Sequence, residues 1–74
     1  MLIVTSDGTN VFNMDRILRI YISDDARWIM IQTSEDSSIA IAKYSDKSQA
    51  ESVLREIVAY YNMGKKVYNI PKGE

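Results

Sequence analysis

Ser38-Ile-Ala-Ile-Ala-Lys-Tyr44 runs directly into Ser45-Asp-Lys-Ser-Gln-Ala-Glu-Ser-Val-Leu-Arg-Glu-Ile-Val-Ala-Tyr-Tyr61, and the fold is decided where one becomes the other. Up to Tyr44 the apolar residues alternate, the two-residue period of a half-buried strand. Beyond it Ala50, Val53, Leu54, Ile57, Val58 and Tyr61 recur at i, i+3, i+4, i+7, i+8 and i+11. That is one face of a helix. Asp46 is placed to cap its first turn, with Gln49 completing a capping-box pattern; Ser48 with Glu51 is the competing register. Glu51 and Arg55 stand four apart on the polar face. Gly64 suits the position just past the helix, and Lys65-Lys66 suits the negative end of its dipole.

Upstream, short strand-like runs are punctuated by polar turns. Leu2–Thr5 and Asn10–Phe12 flank Asp7-Gly8, a hairpin signal. Asn13-Met14-Asp15 interrupts through its turn-forming side chains. Ile17–Ser23, Arg27–Thr33 and Ser38–Tyr44 follow, separated by Asp24-Asp25-Ala26 and Ser34–Ser37. Downstream, Val67–Ile70 reads as a last edge strand stopped by Pro71. The chain is therefore predicted to be one α+β domain over residues 1–74. Its antiparallel, curved sheet is a meander of about five strands, followed by one C-terminal amphipathic helix packed on one face.

One helix covers one face of a sheet. Alternation puts Leu18, Ile20, Ile22, Ile29, Ile31, Ile39 and Ile41 under the helix. The other face then shows Arg19, Tyr21, Trp28, Met30, Gln32, Ala40, Ala42 and Tyr44. The reverse assignment stays open, because small Ala40 and Ala42 would let a helix approach closely. In either case the uncovered face is semi-apolar. An aromatic and Met-rich patch on a small protein is the usual mark of an interface. The candidate interface is Arg19, Tyr21, Trp28, Met30, Gln32 and Tyr44. The bland alternative is that the sheet curls on itself, or that the N-terminal hairpin folds over the patch.

The composition narrows the functions. The 74 residues hold no His and no Cys, with nine basic and ten acidic side chains interspersed to a net charge of −1. No disulfide framework, thiolate zinc site or Cys nucleophile can be built. The commonest general base and metal ligand is also missing. A Ser nucleophile would lack a His base, and Lys43 beside Tyr44 reads better as a solvated edge charge. The three glycines lie far apart and make no phosphate loop. Asp24-Asp25 and Glu35-Asp36 lack EF-hand spacing and read as solvated turns. The expectation is a non-enzyme with no cofactor and no metal.

Nor is there a strong positive field for nucleic acid or anionic lipid. Lys65, Lys66 and Lys72 near Tyr68, with Arg19 and Tyr21 on a sheet, keep a nucleic-acid-binding accessory role as the alternative. Met1–Gly8 has neither a basic n-region nor an apolar stretch of signal length. The longest apolar runs fall far short of the ~20 residues of a membrane span. A cytoplasmic protein without membrane contact is expected. At this size, burial barely exceeds the conformational cost of ordering the chain, which favours a partner: a homo-oligomer or another protein.

The chain resembles uncharacterised small proteins of Gram-positive bacteria and their phages. The resemblance rests on Asn13-Met14-Asp15-Arg16-Ile17, on Ile39–Tyr44 running into the helix, on Ala50 with Val53–Ile57, and on the ending from Tyr61 through Gly64 and Tyr68 to Pro71. It implies a small cytosolic or phage-related protein and transfers no active site. Asp15-Arg16-Ile17, the meander and the closing helix are also similar to bacterial pleckstrin-homology-like domains. This chain is shorter than their seven-stranded barrel and adds a strand after the helix.

Overall fold

The computed structural model describes residues 1–73 and shows an α+β fold. In chain order come β1 (Leu2–Val4), β2 (Val11–Asn13), a 3-10 turn (Met14–Arg16), β3 (Arg19–Ile22), β4 (Trp28–Ser34), β5 (Ser37–Lys43), α1 (Lys47–Asn62) and β6 (Val67–Asn69). The strands form two three-stranded sheets rather than one meander. Sheet A has the order β2-β1-β6 and sheet B the order β3-β4-β5. The break falls at Asn13, whose Oδ1 accepts the Asp15 amide at 3.0 Å and caps the 3-10 turn. The chain therefore leaves β2 and starts a new sheet at β3. The edge of β1 is taken instead by β6, which runs parallel to it, Ile3 opposite Tyr68.

Local chemistry sets the connections. In the β1–β2 loop, Asp7 Oδ1 accepts from Thr5 Oγ1 at 2.7 Å, Thr9 Oγ1 at 2.8 Å and the Thr9 amide at 3.0 Å. Gly8 takes the positive φ, +74°, that this loop requires. Those donors favour the carboxylate and hold the Asp7 pKa at about 2, below its ordinary 3.8. The folded pKa is depressed, so the loop's stabilisation is complete above the ordinary value and is lost as pH falls through the folded one. The Asp7 carboxyl carbon is expected to titrate with a midpoint near 2 in a proton-coupled NMR titration. A midpoint at the ordinary value would overturn this loop geometry.

The helix starts at Asp46, whose Oδ1 accepts the Gln49 amide at 2.9 Å; the Ser48 register loses. Gln49 Oε1 reaches back to the Ser45 amide and hydroxyl, at 3.2 and 2.8 Å, and not to the Asp46 amide. The helix ends in a Schellman motif. Gly64, at φ +74°, donates to Tyr61 O, and the Lys65 amide donates to Tyr60 O, each at 3.1 Å.

Both sheets and the helix share one core: Ile3, Tyr68 and Ile70 near sheet A, Ile29, Ile31, Ile41 and Tyr44 from sheet B and its exit, and Ala50, Val53 and Ile57 from α1. Ile20 and Ile22 pack at its margin. The helix therefore lies on the isoleucine face of sheet B, and the reverse assignment falls. Ile39 shares that face by register, opposite Ile31, but lies outside the core and is 42% exposed; Leu18, just before β3, is 63% exposed.

Candidate functional site

The face of sheet B away from the helix is built from pairs that the register fixes. Tyr21 stands opposite Met30, and Met30 opposite Ala40; Arg19 stands opposite Gln32, and Gln32 opposite Ser38. Trp28 pairs with Lys43. Tyr21, Trp28, Met30 and Gln32 are half-buried, with Arg19, Ser38, Ala40 and Lys43 exposed around them. The Arg19 guanidinium lies 4.1 Å from the centre of the Tyr21 ring, and Lys43 Nζ lies 5.3 Å from that of Trp28. Both are within cation–π range. The Tyr21 hydroxyl crosses the central strand and donates to Ser38 Oγ at 3.0 Å. Tyr21 is thus held by two neighbours on its own face, Arg19 and Ser38, and Trp28 is met by Lys43.

Tyr44 is not on this face. It is 3% exposed, in the core, and its hydroxyl donates to Pro71 O at 2.9 Å. The cause is a β-bulge: Ile29 pairs with Ala42 while Met30 pairs with Ala40, leaving Ile41 as the extra residue. Beyond the bulge the alternation is reversed. Ala42 packs against the core, Lys43 turns outward and Tyr44 turns in. The sequence carried a signal for this. Strict alternation from Ile39 and Ile41 would have pointed Lys43 into the core.

A second surface escaped the sequence reading. Leu2, Val4, Val11 and Val67 share the outer face of sheet A by register, and Leu2, Val11 and Val67 are 42%, 57% and 44% exposed. Three-residue strands are too short to display a period.

The acidic turns lie at opposite ends of β4, and among the described residues no group of three carboxylates is placed to hold a metal ion. Asp25 serves its own turn, accepting from Ser23 Oγ at 2.5 Å and the Arg27 amide at 3.2 Å. Those bonds, led by that from Ser23, lower its pKa. A hollow of about 390 Å³ lies between Tyr44, Ser48, Gln49, Ser52 and the Pro71–Gly73 tail. Lys65, Lys66 and Lys72 near Tyr68, grouped on sequence grounds as a nucleic-acid contact, are not all available. The three lysines are exposed, but Tyr68 is buried and its hydroxyl donates to Glu56 Oε1 at 2.7 Å.

No helix among the described residues is long and apolar enough to cross a membrane. No protein-family model, curated protein or solved structure matches the chain.

Proposed function

We propose that this chain is a non-catalytic interaction module of the cytosol, which self-associates or binds a protein through the outer face of sheet B. Tyr21, Trp28 and Met30 form the centre of the contact, and Arg19, Gln32 and Lys43 its rim. The observation that carries this is the pairing of Tyr21 with Met30 on the side of the sheet opposite the helix, with Trp28 on the same side. These are residue types enriched at interface centres, and Arg is enriched with them. Tyr21 is already held by Arg19 and Ser38, so little of its side-chain freedom is lost on contact.

Nucleic-acid binding is the weaker reading of this face. Arg19 already sits on the Tyr21 ring, and Lys43 on that of Trp28. A stacking base would have to displace a cation from each.

Trp28 is the chain's only tryptophan, so its emission reports on this face directly. Raising the concentration from micromolar to millimolar, or adding the bound partner, is expected to shift that emission to shorter wavelength. Tyr21→Glu is expected to abolish the shift while leaving the circular dichroism unchanged. A shift that survives Tyr21→Glu in the folded variant would count against this face as the contact.

A further inference from the structure

Sheet B carries charge of one sign only. Its strands hold two cations, Arg19 and Lys43, and none of the chain's ten acidic side chains lies in β3, β4 or β5. Both cations are exposed and stand on the face away from the helix, over the Tyr21 and Trp28 rings. Among the described residues neither forms an ion pair. The carboxylates nearest in the chain, at Asp24, Asp25, Glu35 and Asp36, stand in the turns at the two ends of β4. Asp25 is already engaged there by Ser23 and the Arg27 amide.

The two cations also stand at opposite corners of the face. Arg19 is on β3 opposite Gln32, and Lys43 is on β5 opposite Trp28. Four residues along β4 and two strand spacings across, their backbones lie roughly 16 Å apart. Met30 is at the midpoint of that diagonal.

We propose that this face is occupied by an acidic protein segment, one with a carboxylate on either side of an apolar stretch. The inference rests on the reading of this face as the contact surface and names the partner it takes. Charge complementarity selects that partner. An apolar partner would cover Arg19 and Lys43 unpaired, and withdrawing an unpaired charge from water is costly. Docking the face on a second copy would bring four such cations together with no carboxylate from either sheet B. A segment with two carboxylates answers both charges and lays its apolar centre over Met30 and the rings. An extended segment rises ~3.3 Å per residue, so carboxylates about five residues apart span the diagonal. Arg19 suits the task. A carboxylate takes the N–H groups of a guanidinium by two parallel hydrogen bonds and leaves it on the Tyr21 ring, whereas a stacking base has to displace it. Two cations in a chain of net charge −1 also make a weak field for a nucleic acid.

The probes are three end-blocked peptides with one apolar centre: Glu-Leu-Val-Leu-Leu-Glu, its Gln-ended counterpart and its Lys-ended counterpart. A single-stranded oligothymidylate is the fourth. None contains Trp, so the emission of Trp28 reads each titration. The acidic peptide is expected to bind on the order of tenfold tighter than the Gln peptide, the gain from two exposed ion pairs, and added salt is expected to narrow the gap. Arg19→Glu combined with Lys43→Glu is expected to reverse the order, the Lys peptide binding tightest, with unchanged circular dichroism. No binding of the acidic peptide, an order that the double variant does not reverse, or tighter binding of the oligothymidylate would overturn the acidic partner. Equal binding of the acidic and Gln peptides that is lost in Tyr21→Ala would overturn it too, while upholding the face as the contact surface. Acidic-peptide binding that survives Tyr21→Ala unchanged would place the contact elsewhere and overturn both.

Discussion

Tyr68→Ala is expected to remove a large share of the stability of the folded protein. Tyr68 is 2% exposed and stands in β6, the strand that joins the end of the chain to its beginning through β1. Its ring meets that of Tyr60 edge to face, with centroids 5.0 Å apart, and its hydroxyl reaches Glu56 on the helix. One side chain thus ties sheet A to α1. Truncating a buried aromatic costs about 3–5 kcal/mol. A 74-residue domain has about 4–11 kcal/mol in total. Urea titration followed by circular dichroism would measure the loss. Tyr68→Phe keeps the ring and gives up one hydrogen bond to a carboxylate, so a loss of about 1.5–3 kcal/mol is expected. A Tyr68→Ala variant with near-wild-type stability would mean that β6 is not docked on β1.

The same residue makes alkaline pH a probe of the core. Burial, then the hydrogen bond to Glu56, then the charges around it push the Tyr68 phenol far above its ordinary value of 10.0. Burial and the nearby Glu56 charge raise that of Tyr44. Both phenols are thus held neutral in the folded chain and ionise more readily in the unfolded one. Their folded pKa is the higher, so their contribution is intact below the ordinary value and declines as pH rises above it.

The sequence made the parts of this fold that depend on near neighbours legible. The change of period after Tyr44, the Asp46 cap and Gly64 bound a helix within a residue or two of Lys47–Asn62, because caps and periodicity act over one or two turns. Arg19, Tyr21, Trp28, Met30 and Gln32 could be grouped because β3 and β4 pair without interruption over Arg19–Ile22, where alternation alone decides which side a residue takes. What stayed hidden depends on distant parts of the chain. The parallel pairing of Leu2–Val4 with Val67–Asn69 joins two strands too short to announce a period. The division into two sheets follows from that pairing and from the turn at Asn13. The bulge at Ile41 lay between these extremes: Lys43 marked the fault in the alternation, but the extra residue can be placed only once the opposite strand is known.

The bulge can be tested by asking which of two neighbours the core needs. Strict alternation from Ile39 would bury Lys43 and expose Tyr44. The bulge does the reverse, and the reason is energetic: burying an unpaired ammonium is far more costly than interrupting one step of a ladder. Tyr44→Ala is therefore expected to destabilise the domain by about 3–5 kcal/mol, as truncation of a buried aromatic does. Lys43→Ala is expected to change stability by less than about 1 kcal/mol, the size of a surface substitution plus one cation–π contact. Tyr44→Phe separates packing from the hydroxyl: losing the bond to Pro71 O is expected to cost about 1 kcal/mol and to loosen the tail first. Urea midpoints of the three variants, with hydrogen exchange at Lys72 and Gly73, would decide the matter. A Tyr44→Ala loss no larger than that of Lys43→Ala would place the ring outside the core and return Tyr44 to the outer face. Two aromatics would then stand at the Lys43 end of sheet B, and the contact surface would run to the end of β5. With Tyr44 held inside, that surface stops at Trp28 and Lys43.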